Sequence, residues 1–177
     1  MNKKDANLGK DIAGSIEICP GVKGLKLAAS YYDGNYMLNE NDVYDENAER
    51  NRLTFGGKYE GKSLVIRSEY ITAKTGMGDR TPGEYYILNS DGFYVSAGYW
   101  FDIKCKKSGN VQRIRPVARY DFFREDVTDI NTNSTYYMVG IDWWPYKNLR
   151  LLVNYTLKDG YDTKNKEDGY DTKNKVP

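Results

Sequence analysis

Alternation of period two runs through eight segments of this chain and sorts their residues into two chemically different sets. Leu53, Phe55, Gly57 and Tyr59 share one parity, as do Leu64, Ile66, Ser68 and Tyr70. So do Phe93, Val95, Ala97, Tyr99 and Phe101; Tyr137, Val139, Ile141 and Trp143; and Leu149, Leu151, Val153 and Tyr155. The positions between them are polar and often basic: Arg52, Thr54, Lys58, Arg67, Glu69, Arg115, Arg119, Asp121, Asp142, Arg150 and Asn154. Successive side chains of a strand point to opposite sides, so this pattern means strands with one apolar face and one wet face. Such strands, tipped with aromatics, are what a transmembrane β-barrel requires.

A chain of 177 residues predicts one domain, long enough to close a small barrel or to form half of a larger one. No run of ~20 apolar residues exists, which excludes a transmembrane helix. It does not exclude a membrane barrel, where only alternate residues meet lipid. Lys and Arg total 26 against 25 Asp and Glu, and the net charge of +1 points neither to nucleic acid nor to steering by the molecule as a whole. Histidine is absent, which removes the commonest general base and the commonest metal ligand. The ordinary Ser-His arrangements cannot form, so the chain reads as a non-enzyme with no catalytic residue, no metal and no cofactor. Cys19 and Cys105 are too few for a disulfide scaffold, match no zinc spacing, and read as loop or core thiols.

Strands are expected at about 10–18, 24–33, 50–60, 63–73, 91–103, 113–124, 134–144 and 149–158, and their connections alternate in length. Short, turn-forming ones lie at CPGVKG (Cys19 to Gly24), EGKS (Glu60 to Ser63) and PYKN (Pro145 to Asn148). Longer polar loops are expected from Gly34 to Glu49, Lys74 to Ser90 and Arg124 to Asn133. The stretch from Lys104 to Gln112 is intermediate, and parity assigns it to the short side. Short turns on one rim and long loops on the other are the habit of outer-membrane barrels. The loop containing Asn39, Glu40, Asn41, Asp42, Asp45, Glu46 and Asn47 is dense in oxygen ligands that would suit calcium, without an EF-hand spacing; its plainer reading is a solvated external loop.

Residues 1–158 form the expected barrel domain and 159–177 a polar, disordered tail, in which DGYDTKNK at Asp159 to Lys166 recurs at Asp168 to Lys175. Two polar octamers build neither a core nor a solenoid. The start, MNKKDANLGKD, lacks the apolar stretch of a signal peptide, so the chain is expected to be a fragment or to carry a mis-assigned start.

The segment Tyr137 to Thr156, YMVGIDWWPYKNLRLLVNYT, resembles the penultimate hairpin of the phosphate-selective porin O and P family. The matching residues are Gly140, Ile141, Asp142 and Trp143, then Pro145 and Asn148, then Arg150, Leu151, Asn154 and Tyr155. PVARYDFF (Pro116 to Phe123) resembles the family's Ala-Arg-Tyr strand, and GFYVSAGYWF (Gly92 to Phe101) the strand before it. The resemblance covers about Arg50 to Asp159, with a weaker extension back to Asp11. It implies an antiparallel, up-and-down transmembrane barrel of sixteen strands, a homotrimer with an arginine-lined pore, of which this chain supplies the carboxyl-terminal half with about eight strands. Asp142 stands where the family usually has Asn.

With the apolar face in lipid, Lys26, Arg52, Lys58, Arg67, Arg115, Arg119 and Arg150 face the lumen against Glu69, Asp121 and Asp142. A concave wall with excess positive charge focuses anions, and the guanidinium fork suits phosphate oxygens. The competing view is a neutral ladder in which Arg67 pairs with Glu69 and Arg119 with Asp121. Trp100, Trp143, Trp144, Tyr99, Phe101, Tyr146 and Tyr155 fall near strand ends, as interfacial girdles require. The expected function is a passive porin of a Gram-negative outer membrane, admitting small hydrophilic solutes and preferring anions such as phosphate. Its partners are then lipid and small anions, with no nucleic acid. The alternatives are a soluble lipocalin-like barrel with the apolar face inward, and a small structural or adhesive barrel plugged by Arg67, Glu69, Arg119 and Asp121.

Overall fold

A computed structural model of the chain describes residues 10–40, 43–78, 85–104 and 111–160, with backbone alone at 37–40, 43–47 and 85. The strands are β1 (Ile12–Ile18), β2 (Leu25–Glu40), β3 (Val43–Glu60), β4 (Leu64–Gly78), β5 (Tyr85–Tyr99), β6 (Phe101–Lys104), β7 (Val111–Arg124), β8 (Asn133–Tyr146) and β9 (Leu149–Gly160). They form one antiparallel sheet in the order β1-β2-β3-β4-β5-β7-β8-β9, with β6 continuing β5 against β7. Among the described residues β1 and β9 do not pair with each other, so the sheet is open and its two edges are free.

β5 and β6 together occupy the single strand expected over 91–103. They keep one register against β7, from Gly98↔Val117 to Phe101↔Ile114, and the ladder lapses only around Trp100. Pro116 lies in the lapse. A proline has no N–H to donate, so a central strand loses a rung at that point. On the other side, the Trp100 amide bonds the Ser63 carbonyl at 2.8 Å and extends the β4–β5 ladder beyond Leu64↔Tyr99.

The expected loops from Gly34 to Glu49 and from Lys74 to Ser90 are largely strand. β2 and β3 remain paired up to Glu40↔Val43, with a register shift between Tyr36 and Leu38, and β4 and β5 remain paired up to Gly78↔Tyr85. Alternation disappears there because polar residues and glycines fall on both faces, so the ladder continues without a sequence signature. The side chains proposed to recruit calcium lie outside the described residues, as do Cys105, residues 105–110 and the chain from 161 onward, including the second octamer. Cys19 is exposed in the β1–β2 turn. The connection from Glu125 to Thr132 is compact. Thr128 donates to Asp126 Oδ1 through its amide (2.8 Å) and hydroxyl (2.7 Å), which holds the Asp126 carboxyl below its usual range. The Val127 amide ties the turn to the Asn89 carbonyl at 2.9 Å.

Pairing carries the two parities across the whole sheet. One row runs Ile18, Leu27, Gly57, Ser68, Val95, Tyr120, Tyr137, Leu157, entirely on the apolar face. That row begins at the turn end of β1 and finishes near the far end of β9, eight residues above Leu149. A climb of roughly 27 Å over about 34 Å of sheet width is a strand slant near 40°, inside the range that barrels of this kind need.

The apolar face is not a core. Val95 is 41% exposed, Ile141 49% and Val139 57%, and among the described residues the buried hydrophobics are Ala48 and Val65. Rings join along the band's upper margin, Phe93 against Tyr120 and Phe122, and Tyr120 against Tyr137. Just above them the same face turns polar, with Asp33 opposite Asn51 and with Thr72, Asp91, Arg124 and Asn133 in one row. Arg124 forks onto both oxygens of the nearly buried Asp91 at 2.6 Å, and the Tyr70 hydroxyl donates to it at 3.2 Å.

Gly140 sits where β8 and β9 approach closely: a Cβ there would lie 2.1 Å from Asn154 Oδ1 and 2.8 Å from the Val153 carbonyl. Replacing Gly140 with Ala is expected to weaken the β8–β9 ladder by about 1–3 kcal/mol. Hydrogen exchange should show faster amides in β9 while the β3–β4 amides stay protected.

Candidate functional site: the charged face of the sheet

Parity places all seven cations singled out in the sequence on the polar face, and pairing aligns four of them. Lys26, Lys58, Arg67, Ser96 and Arg119 form one row across five neighbouring strands. Like charges directly opposite repel, so the row needs acids beside it. Glu17 meets Lys26 Nζ at 2.7 Å, and Glu60 Oε1 takes Lys58 Nζ at 2.9 Å and Arg67 Nη2 at 3.0 Å. Arg119 Nε donates to both oxygens of Asp121 at 2.9 Å while its guanidinium lies 4.1 Å from the centre of the Tyr94 ring.

Of the two neutral pairs weighed from sequence, then, Arg119 with Asp121 forms. Arg67 with Glu69 does not: Arg67 turns to Glu60, and Glu69 has no ion pair among the described residues. Arg52 stands apart in a row with Tyr32 and Ala73 and likewise has no ion pair among the described residues.

The other two cations meet at Asp142, which is 1% exposed. Arg115 Nη2 donates to its Oδ2 at 2.7 Å, Arg150 binds both oxygens at 2.9 and 3.1 Å, and the Trp144 indole donates to Oδ1 at 3.0 Å. Arg113 and Arg115 both lie over Trp100, at 4.6 and 4.5 Å from the ring centre, and Arg113 also reaches Asp102 at 3.0 Å. The Asp142 carboxylate orients two guanidinia and neutralises one of them. The cluster keeps a positive charge.

These contacts split the aromatic group expected at the interface. Trp143 is on the apolar face, opposite Ile114 and Leu151, whereas Trp144 and Trp100 serve the arginines. Sequence reading also passed over Arg50, Arg113 and Lys158 among the cations of this face, and Glu17, Glu60 and Asp102 among its acids. Parity within a strand would have found most of them; Glu60 was hidden because it looked like part of a turn. The face remains in cationic excess. Among the described residues, no group of His, Cys, Asp and Glu is arranged to hold a metal ion.

The chain matches the phosphate-selective porin O and P family over residues 62–176, more than half its length. It belongs to that family. Porins are outer-membrane channels, and an open sheet of antiparallel, two-faced strands is consistent with part of such a barrel. No curated protein and no solved structure matches the chain.

Exposed ion pairs contribute little to stability, but Asp142 is buried and bonded to three partners. Asp142→Ala is expected to cost about 2 kcal/mol, since it leaves Arg115 and the Trp144 indole without their acceptor. Asp142→Asn should cost less. Equilibrium denaturant titration of the protein folded in lipid vesicles measures both.

Proposed function

We propose that the polar face lines a water-filled channel through the outer membrane and that small hydrophilic anions, phosphate among them, cross it in preference to cations. The observation that carries this reading is the cationic excess of that face in a chain whose net charge is only +1. Arg115 and Arg150 share one carboxylate, Lys58 and Arg67 share another, and Arg52 has no ion pair among the described residues. An anion meets guanidinia already held in place, with donors to spare. Cations meet a repulsive wall.

Burial agrees with this orientation. Val65, Ser134 and Asp142 are buried on the polar face while the hydrophobic band of the other face stays open, with Asp91 buried only above that band, as a sheet curling around its charged side would have it. An inward-turned apolar face, as in a lipocalin, would hide Val95 and Ile141 instead. Backbone groups left unpaired in hydrocarbon cost several kcal/mol each, so the free edges of β1 and β9 need strand partners. We take the sheet to be part of the wall of a wider barrel, assembled as a trimer.

Replacing Arg67, Arg119 and Arg150 together with Ala in the reconstituted channel should move the reversal potential in a salt gradient toward the cation value. Asp142→Asn should move it the other way. An unchanged anion preference in both variants would show that these residues do not set it.

A further inference from the structure

The polar face carries a second kind of surface, one pairing step above the basic row. There Ala28, Gly56, Glu69, Tyr94, Asp121 and Tyr136 follow one another across the strands. Around Glu69, Tyr94 and Asp121 the wall forms an open hollow of about 450 Å³, walled by Ile71, Phe123, Tyr136 and Met138. Its size is that of a small-molecule site, and its lining is apolar and aromatic with a few convergent charges.

The charges in the hollow do not suit an anion. Arg119, its one cation, is forked onto Asp121 and laid against Tyr94, so its charge is already neutralised. Glu69 is not. It has no ion pair among the described residues, and the position directly opposite it on β3 is Gly56, where a Cβ would still stand 3.9 Å from Glu69 Cγ. Glu69 thus lines the hollow next to Tyr94, its paired neighbour on β5, within Coulombic reach of Arg119 but without an ion pair of its own among the described residues. A carboxylate beside ring faces and a thioether is the chemistry that holds an ammonium group attached to an apolar body. One guanidinium already rests on a ring of this hollow at 4.1 Å.

We propose that this hollow binds small organic ammonium solutes, with the cationic head at Glu69 and the apolar body on Ile71, Phe123 and Met138. It is a site of opposite preference set into a basic wall. Binding at the hollow depends on the folded sheet alone and not on ion conduction, so it is tested apart from the channel reading.

The experiment is calorimetric titration of the full chain, folded in detergent micelles, with benzyltrimethylammonium. Saturable binding is expected, weakened about ten-fold by Glu69→Gln and retained in Glu69→Asp. Phe123→Ala, which removes the opposite wall and leaves the charge, should weaken it several-fold and serves if Glu69→Gln does not fold. Uncharged benzyl alcohol should bind at least ten-fold more weakly, and inorganic phosphate should not compete. Equal affinity for benzyl alcohol, displacement by phosphate, or binding unaffected by both Glu69→Gln and Phe123→Ala would overturn the proposal.

Discussion

A sheet whose described residues bury only Ala48 and Val65 among its hydrophobics has no interior of its own to hold it together. In water the exposed band of Leu, Ile, Val and Tyr would be an aggregation surface, since nothing in the fold covers it. Hydrocarbon removes that difficulty and imposes another, because every amide and carbonyl inside it must find a partner within the protein. The long antiparallel ladders satisfy that demand strand by strand, and the slant near 40° follows from their register.

On the other side of the same strands, charge is organised by rows and not by residues taken singly. Lys26, Lys58, Arg67 and Arg119 are brought into line by pairing, and acids from neighbouring rows keep them from repelling one another. Asp142 gathers Arg115, Arg150 and Trp144 near the short-turn rim. An Asn in its place would keep an acceptor but lack the charge. This chain exchanges some positive potential for a fixed arginine geometry.

Legibility in the sequence followed the solvent. Wherever one face meets lipid and the other water, as from Leu53 to Tyr59 or Phe93 to Phe101, alternation named both the strand and its faces. Above the band neither face is consistently apolar, and the paired stretches from Gly34 to Glu40 and Lys74 to Gly78 passed for loops. The faces of the seven cations could be read from parity, since parity is local. Partners two residues along the same strand can be read the same way, as Asp121 was for Arg119; those across strands cannot, since Glu60 meets Arg67, and Asp142 meets Arg115 and Arg150, only through cross-strand register. Trp143 and Trp144 make the same point at one position, adjacent in sequence and opposite in environment.

Those tryptophans offer the most direct test of which side of the sheet touches hydrocarbon. Variants keeping a single tryptophan, at 143, 144 or 100 with Phe at the other two positions, can be folded into vesicles containing bromine-labelled lipid chains. Fluorescence from Trp143 should be strongly quenched, while Trp144 and Trp100 stay bright and respond to an aqueous quencher such as acrylamide. Strong lipid quenching of Trp144 and Trp100, with Trp143 shielded, would mean that the arginine-bearing face is the exterior, and a channel lined by those arginines would be ruled out.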